Sequence, residues 1–297
     1  MGTSAPSGFG RLTIKPLQKT FGAVVTGLRL AELDNDAFSD LYAAWLEYAL
    51  LIFPGQNPSV AEQIAFARRF GELVEGLEAV ELSNVLPDGS LRAAPDDDMM
   101  KIIRGNMHWH QDNTYMPLQA KGAVFSARVV PRVAGETAFA DMSAAWEALD
   151  QSTRRKVATL SAYHSLAHSQ KLLCEETKES DSEYIGYGLD VEEVPLRPLL
   201  KIHPETNRPS LAVGRHAYGI PGMNEEESAR LLTGLIDFAV SDENRVYQHH
   251  WTVGDVLVWD NRCLMHRACS WNYREPRVML HSRIAGDSRT ESAGEVR

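Results

Sequence analysis

From Lys101 to Ile284 the apolar residues arrive in short runs cut again and again by Gly, Pro and Asn. Such punctuation leaves little room for long helices, and it is the signature of an all-β sandwich or barrel. The runs at 101–103, 123–130, 137–140, 196–202, 210–213, 246–250, 256–259 and 277–284 read as strands. Two stretches break the pattern with helical spacing, 143–160 and 224–240. The second opens on Glu225-Glu226-Glu227, where the positive end of a helix dipole favours acid.

Before residue 101 the periodicity is mixed. Residues 12–14 and 23–25 read as strands, with Gly22 and Gly27 marking turns. Asp34 or Asn35 caps a helix to Tyr48, in which Phe38, Leu41, Ala44, Trp45 and Tyr48 recur on one side. Residues 49–53 form a buried strand stopped by Pro54-Gly55. A second helix follows from its cap Ser59 to Phe70, with Phe66 and Phe70 four apart on one face. The fold expected is mainly β with flanking helices, an α+β chain organised as a helix-flanked β-sandwich. One domain spans 11–286, behind a disordered Gly, Ser and Pro-rich lead at 1–10 and before a flexible tail at 287–297. The polar stretch 169–193 lacks periodicity and reads as a surface loop or a lid insertion.

Charge narrows the partners. Thirty Lys and Arg against 40 Asp and Glu give a net charge of -10, which disfavours nucleic acid and anionic membrane. No apolar run approaches the roughly 18 residues that cross a bilayer, and the first residues lack a signal peptide's basic and apolar regions, so a cytoplasmic location is expected. Cys174, Cys263 and Cys269 suit neither a disulfide framework nor a Cys-x-x-Cys zinc site.

The chemistry concentrates in His110-Gln111-Asp112, with His266 waiting far downstream. On a strand, residues two apart point to one side, so His110 and Asp112 reach one metal while Gln111 faces away. His266 follows the strand 256–259 and the turn signal Asp260-Asn261, which carries the chain back. Two imidazoles and one carboxylate leave half an octahedron open, the arrangement with which Fe(II) activates O2. Such a centre needs electrons, and a 2-oxo acid supplies two on oxidative decarboxylation. Its far carboxylate needs a cation, and Arg277 offers a fork of two parallel hydrogen bonds, with the Thr137 hydroxyl as a further donor. Other histidine pairs compete: His108 with His110, His164 with His168 four apart, and His249 beside His250.

The runs Leu51-Ile-Phe-Pro-Gly55, Arg69-Phe-Gly-Glu72, Trp109-His-Gln-Asp112, Gly135-Glu-Thr137, Trp259-Asp-Asn261 with His266, and Arg277 together resemble the taurine dioxygenase and 2,4-dichlorophenoxyacetate dioxygenase family over residues 11–286. The resemblance implies a double-stranded β-helix, that is, a jelly-roll of the clavaminate synthase type, with Fe(II) as cofactor and 2-oxoglutarate as cosubstrate. It makes His110, Asp112 and His266 iron ligands and gives Thr137 and Arg277 to 2-oxoglutarate. It also implies O2 as a reactant and a homo-oligomer, a trimer in the form that relatives take. Within the family, Asn106 to Pro117, Gly122 to Ala127, Tyr184 to Gly188 and Gly214 to Ala217 look most like the members acting on (S)-2-phenoxypropionate, whose ether bond is cleaved to a phenol and pyruvate.

One position departs from the pattern. Many family members carry a second Arg four residues after the first to grip the substrate's anion, and here that position is His281. Arg283 shares a face with Arg277 and His281 by strand alternation, and Arg215 or Lys101 offers a cation from elsewhere. Asn106, Tyr115 and Trp259 complete the expected pocket walls. Three alternatives stay open: a natural carboxylate or alkylsulfonate as substrate, a zinc hydrolase built on the same three ligands, and a non-catalytic sandwich that binds a small acid.

Overall fold

The computed structural model describes residues 12–92, 97–173, 183–189 and 191–293, with the side chains of 183 and 185 left aside. Its strands in chain order are Thr13–Pro16 (β1), Ala23–Thr26 (β2), Leu50–Phe53 (β3), Val80–Ser83 (β4), Gly122–Val129 (β5), Thr137–Asp141 (β6), Ser161–His164 (β7), Leu196–Pro198 (β8), Leu200–Ile202 (β9), Pro209–Leu211 (β10), Ala217–Tyr218 (β11), Val246–His249 (β12), Val256–Asp260 (β13), Leu264–Ala268 (β14) and Val278–Ile284 (β15). The helices are Asn35–Tyr48 (α1), Val60–Arg68 (α2), Asp98–Gly105 (α3), Met142–Ala148 (α4), Gln151–Val157 (α5), Leu166–Leu172 (α6), Glu183–Gly186 (α7) and Glu225–Val240 (α8). None is long and apolar enough to cross a membrane.

Seven strands make one mixed sheet in the order β1-β2-β3-β13-β5-β15-β4, in which only β2 and β3 run parallel. A three-stranded sheet, β12-β6-β14, packs against it. Their shared core holds Phe125, Leu257, Trp259 and Met279 from the large sheet and Phe139 and Leu264 from the small one. Phe139 and Trp259 meet edge to face at 5.6 Å between ring centres. The other face of the large sheet is covered by α1 and α2 through Leu41, Trp45, Phe66 and Phe70. Ser59 and Glu62 close a capping box at the start of α2. The structure is thus sheet-rich with several helices, as the strand punctuation predicts.

Several local expectations change. Residues 101–103 are not a strand but lie in α3, because Asp97 caps the segment by accepting from Met100 N, and Met99, Met100 and Ile103 share its buried side. The helix expected over 143–160 is two, since Asp150 accepts from the amides of Ser152 and Thr153 and starts α5 afresh. The strand expected over 196–202 divides after Pro198, β8 pairing with β7 and β9 with β10. Of the stretch 169–193, Ser169 to Leu172 belong to α6 and α7 follows later, while 174–182 and 190 lie outside the described residues, as does the lead at 1–10. Residues 287–293, expected in the tail, pack on the body: Glu291 is 1% exposed and its carboxylate meets Lys201 Nζ at 2.5 Å.

Candidate active site

His110 pairs with His266 on β14, the edge strand of the three-stranded sheet. Each exchanges both backbone hydrogen bonds with the other, His110 N to His266 O at 3.0 Å and His266 N to His110 O at 2.8 Å. An antiparallel pair of this kind puts both side chains on one face, and the imidazole centres lie 4.3 Å apart. His110 therefore sits in an isolated bridge with β14 rather than in a strand of its own, and Asp112 lies in the turn that follows, which the left-handed Asn113 continues. The strand assigned to 110–112 is corrected accordingly. What replaces strand alternation as the device that aims Asp112 is Asn261: its Oδ1 accepts from Asp112 N and its Nδ2 donates to Asp112 O, both at 2.8 Å. A buried side-chain amide thus serves Asp112 as a strand would.

The three side chains converge on one point. His110 Nε2 lies 4.0 Å from Asp112 Oδ1, and His266 Nε2 lies 3.8 Å from Asp112 Oδ2. Those separations are too long for hydrogen bonds and short enough for a single ion to bridge. His110 Nδ1 donates to His108 O at 2.7 Å, which leaves the Nε2 lone pair free, a common second contact of metal-ligating imidazoles. Burial pushes His110 well below its ordinary range and His266 down to about 4, so both are neutral ligands at neutral pH. Burial raises the Asp112 carboxyl, but Arg283, His266 and His281 together outweigh it and hold the group well below its ordinary range. Two neutral imidazoles and a carboxylate fit a divalent metal.

Two chambers share this centre. The first is walled by Leu82, Ile103, Phe125 and Trp259 and reaches Thr137 and Arg277. Arg277 is buried; its Nε donates to Gly135 O at 3.1 Å, and its Nη2 has no partner among the described residues. Thr137 Oγ1 accepts from Trp251 Nε1 at 3.0 Å, so its own hydroxyl hydrogen stays available. The second chamber is lined by Tyr115, Tyr184, Tyr187, Arg215 and His216, with Asn106 and Arg283 common to both. In it Arg215 Nε and Nη1 have no partner among the described residues, and burial pulls the guanidinium down to about 10. Ser169 Oγ donates to Leu166 O and accepts from His216 Nδ1, both at 2.9 Å, which leaves His216 Nε2 as an acceptor.

The remaining cations are held elsewhere, although Arg283 Nε also lacks a partner among the described residues. Arg283 lies 3.7 Å from Asp112 Oδ1 and donates to Asn113 Oδ1 at 3.0 Å. His281 Nε2 lies 3.5 Å from Asp112 Oδ2, its ring stacked on Trp259, and it faces the first chamber rather than the second. Lys101 pairs with Asp98 at 3.1 Å and lines neither chamber. His164 ends β7 while His168 lies in α6, so their spacing is not helical. His249 is held by Asp255, and His250 is exposed beside Glu136. Tyr184, Tyr187 and His216 carried no role in the sequence reading, although they sit in the runs Tyr184 to Gly188 and Gly214 to Ala217 that support the resemblance.

Over 281 residues the chain is 59% identical to the (S)-phenoxypropionate/alpha-ketoglutarate-dioxygenase of Sphingobium herbicidovorans, covering 94% of this chain and 97% of that one. A protein of the same description from Delftia acidovorans is 56% identical, covering 96% and 99%. Among solved structures, AAD-2 in complex with Mn(II) and N-oxalylglycine superposes with a TM-score of 0.85 at 34% identity, covering 96% of this chain and all of that one. Residues 13–283 match the model of the taurine catabolism dioxygenase TauD, TfdA family, and with its buried His-Asp-His centre this chain belongs to that family.

Proposed function

We propose that the chain is an Fe(II)- and 2-oxoglutarate-dependent dioxygenase that opens the ether bond of an aryloxyalkanoate such as (S)-2-phenoxypropionate. The observation that carries this reading is two arginines with buried, unpartnered donor atoms, Arg277 lining one chamber and the half-buried Arg215 lining the other, at one His-Asp-His centre. Two carboxylate ligands are what such an arrangement fits. The close relatives are named for (S)-phenoxypropionate and alpha-ketoglutarate, and the Mn(II) complex of AAD-2 contains N-oxalylglycine, an analogue of 2-oxoglutarate. The same reading makes the two facing sheets a double-stranded β-helix and the protein a homo-oligomer, which light scattering checks.

In this proposal His110, Asp112 and His266 hold the iron. Bound Fe(II) supplies the redox chemistry, activating O2 with electrons from the decarboxylating 2-oxo acid. Arg277 and the Thr137 hydroxyl take the far carboxylate of 2-oxoglutarate and fix its oxalyl end toward the centre. Arg215 takes the substrate carboxylate from the other chamber, and the Tyr115, Tyr184 and Tyr187 rings flank the aryl ether. Asn261 keeps Asp112 aimed, and the apolar walls exclude water. Hydroxylation beside the ether oxygen gives a hemiketal, whose collapse breaks the carbon–oxygen bond. The balance is one substrate, one 2-oxoglutarate and one O2 giving phenol, pyruvate, succinate and CO2.

The test is a substrate-dependent succinate assay over (S)- and (R)-phenoxypropionates, phenoxyacetates, natural aryl carboxylates and alkylsulfonates. Stimulation by the (S)-phenoxypropionates with matching phenol release is expected. No stimulation by any aryloxyalkanoate overturns the substrate reading. Absence of a visible band on anaerobic mixing with Fe(II) and 2-oxoglutarate, with zinc restoring a hydrolytic activity, overturns the reaction class.

A further inference from the structure

The segment between Asp112 and Gly122 is tied down from an unexpected side. Arg197 on β8 is buried, and its guanidinium contributes no ion pair to the centre. Instead its Nε donates to Thr114 O at 2.7 Å, its Nη2 to Met116 O at 2.6 Å and its Nη1 to Glu291 O at 3.1 Å. That last carbonyl also accepts from Gln119 N at 3.1 Å, while Ala293 N donates to Pro117 O at 2.8 Å and Ser292 bridges Leu118. Glu291 is anchored in turn by Lys201. Gly286 admits this return of the chain, since a Cβ there would collide with Gln119 O and the Glu291 side chain. Residues 287–293 thus run back as a strap along the loop that carries Tyr115, and they lie beyond the span that matches the family model, 13–283.

The consequence for the site is one-sided. Tyr115 lines the second chamber, meets His216 edge to face at 4.8 Å and packs so closely on Gly188 that a Cβ there would overlap its ring. Asp112, at the start of the same loop, is fixed separately by Asn261, and Thr137 and Arg277 stand on β6 and just before β15. We infer that Arg197 and the strap at 287–293 are positioning elements for substrate alone: they set the 114–117 segment, whose carbonyls they hold, and through Tyr115 the affinity of the second chamber, without acting on the 2-oxoglutarate chamber. An arginine fork suits this task, because four carbonyls from two segments, Pro117 O among them at 3.4 Å, are bound by one rigid plane.

This inference rests on the proposed assignment of the two chambers, and its test separates the two. Removing 287–297 is expected to raise the KM for (S)-2-phenoxypropionate by about tenfold or more while shifting the KM for 2-oxoglutarate by less than about twofold. Arg197→Lys, which keeps the charge but loses the fork, should change both constants in the same directions to a smaller degree, and it carries the test should the shortened chain not fold. Hydrogen exchange of the amides at 114–117 should quicken in both variants while that of β6 does not, a readout independent of any substrate. Equal rises in both KM values, or unchanged exchange at 114–117 with only a lower Tm, overturn the inference. A wild-type protein that turns over no aryloxyalkanoate, yet shows the exchange difference on truncation, sinks the substrate reading and leaves the strap's grip on the loop standing.

Discussion

Arg215 is the residue on which the substrate assignment turns, and replacing it with Met should move affinity and stability in opposite directions. Arg215 lines the second chamber, and its guanidinium carries two buried donors, Nε and Nη1, without a partner among the described residues. Each charge-assisted hydrogen bond is worth about 1.5–3 kcal/mol, so two to one carboxylate amount to roughly 3–4 kcal/mol after ordering costs, or about two to three orders of magnitude in KM for the substrate. Stability goes the other way. Burial pulls Arg215 from 12.5 to about 10, so its charged form is disfavoured in the folded protein. For a base whose folded pKa is depressed, the penalty is present in full below the folded value and vanishes only above the unfolded one; at neutral pH it is therefore fully felt. Methionine keeps the stem's packing and removes that penalty, so Arg215→Met is expected to hold or raise Tm by a few degrees. The assays are succinate release against substrate concentration at saturating 2-oxoglutarate, and calorimetry of the ligand-free protein. A substrate KM within about threefold of wild type refutes the anchor, and a large fall in Tm shows that the guanidinium has a structural partner after all.

Three further outcomes follow from the same geometry. Asp112→Asn, chosen over alanine because it keeps a hydrogen-bonding group beside the buried Arg283, should abolish iron-dependent succinate formation and leave a folded protein; full turnover in that variant would refute the triad. Arg277→Ala should weaken 2-oxoglutarate binding, read by anaerobic spectroscopic titration, about a hundredfold and substrate binding hardly at all, and equal losses would mean that the cosubstrate arginine is misassigned. Asn261→Ala should lower metal affinity about 10- to 100-fold by freeing the Asp112 backbone, measured by competition with a chelator, whereas unchanged affinity would make Asn261 a packing residue only.

The sequence reading succeeds where local chemistry repeats itself and fails where a tertiary partner decides. The strands 123–130, 137–140, 256–259 and 277–284 are short apolar-rich runs set off by Gly, Pro and Asn, and the structure places β5, β6, β13 and β15 there. Residues 101–103 mislead because three residues cannot distinguish a period of 2 from one of 3.6; the deciding signal is the cap at Asp97. His110 and Asp112 are brought together as spacing suggests, but by a different device. A strand needs backbone partners on one side of Asp112, and there the chain supplies an amide side chain from 149 positions away. No local pattern reports such a bond. The same holds for the cations: alternation correctly groups Arg277, His281 and Arg283 around one cavity, yet it cannot tell that Arg283 is neutralised by Asp112 while Arg215 is not. Whether a buried arginine is available to a ligand depends on its surroundings rather than its identity. Here His281 stands four residues after Arg277 and leans on Asp112 and Trp259, and in the proposed assignment the substrate's anion falls instead to Arg215 in the second chamber.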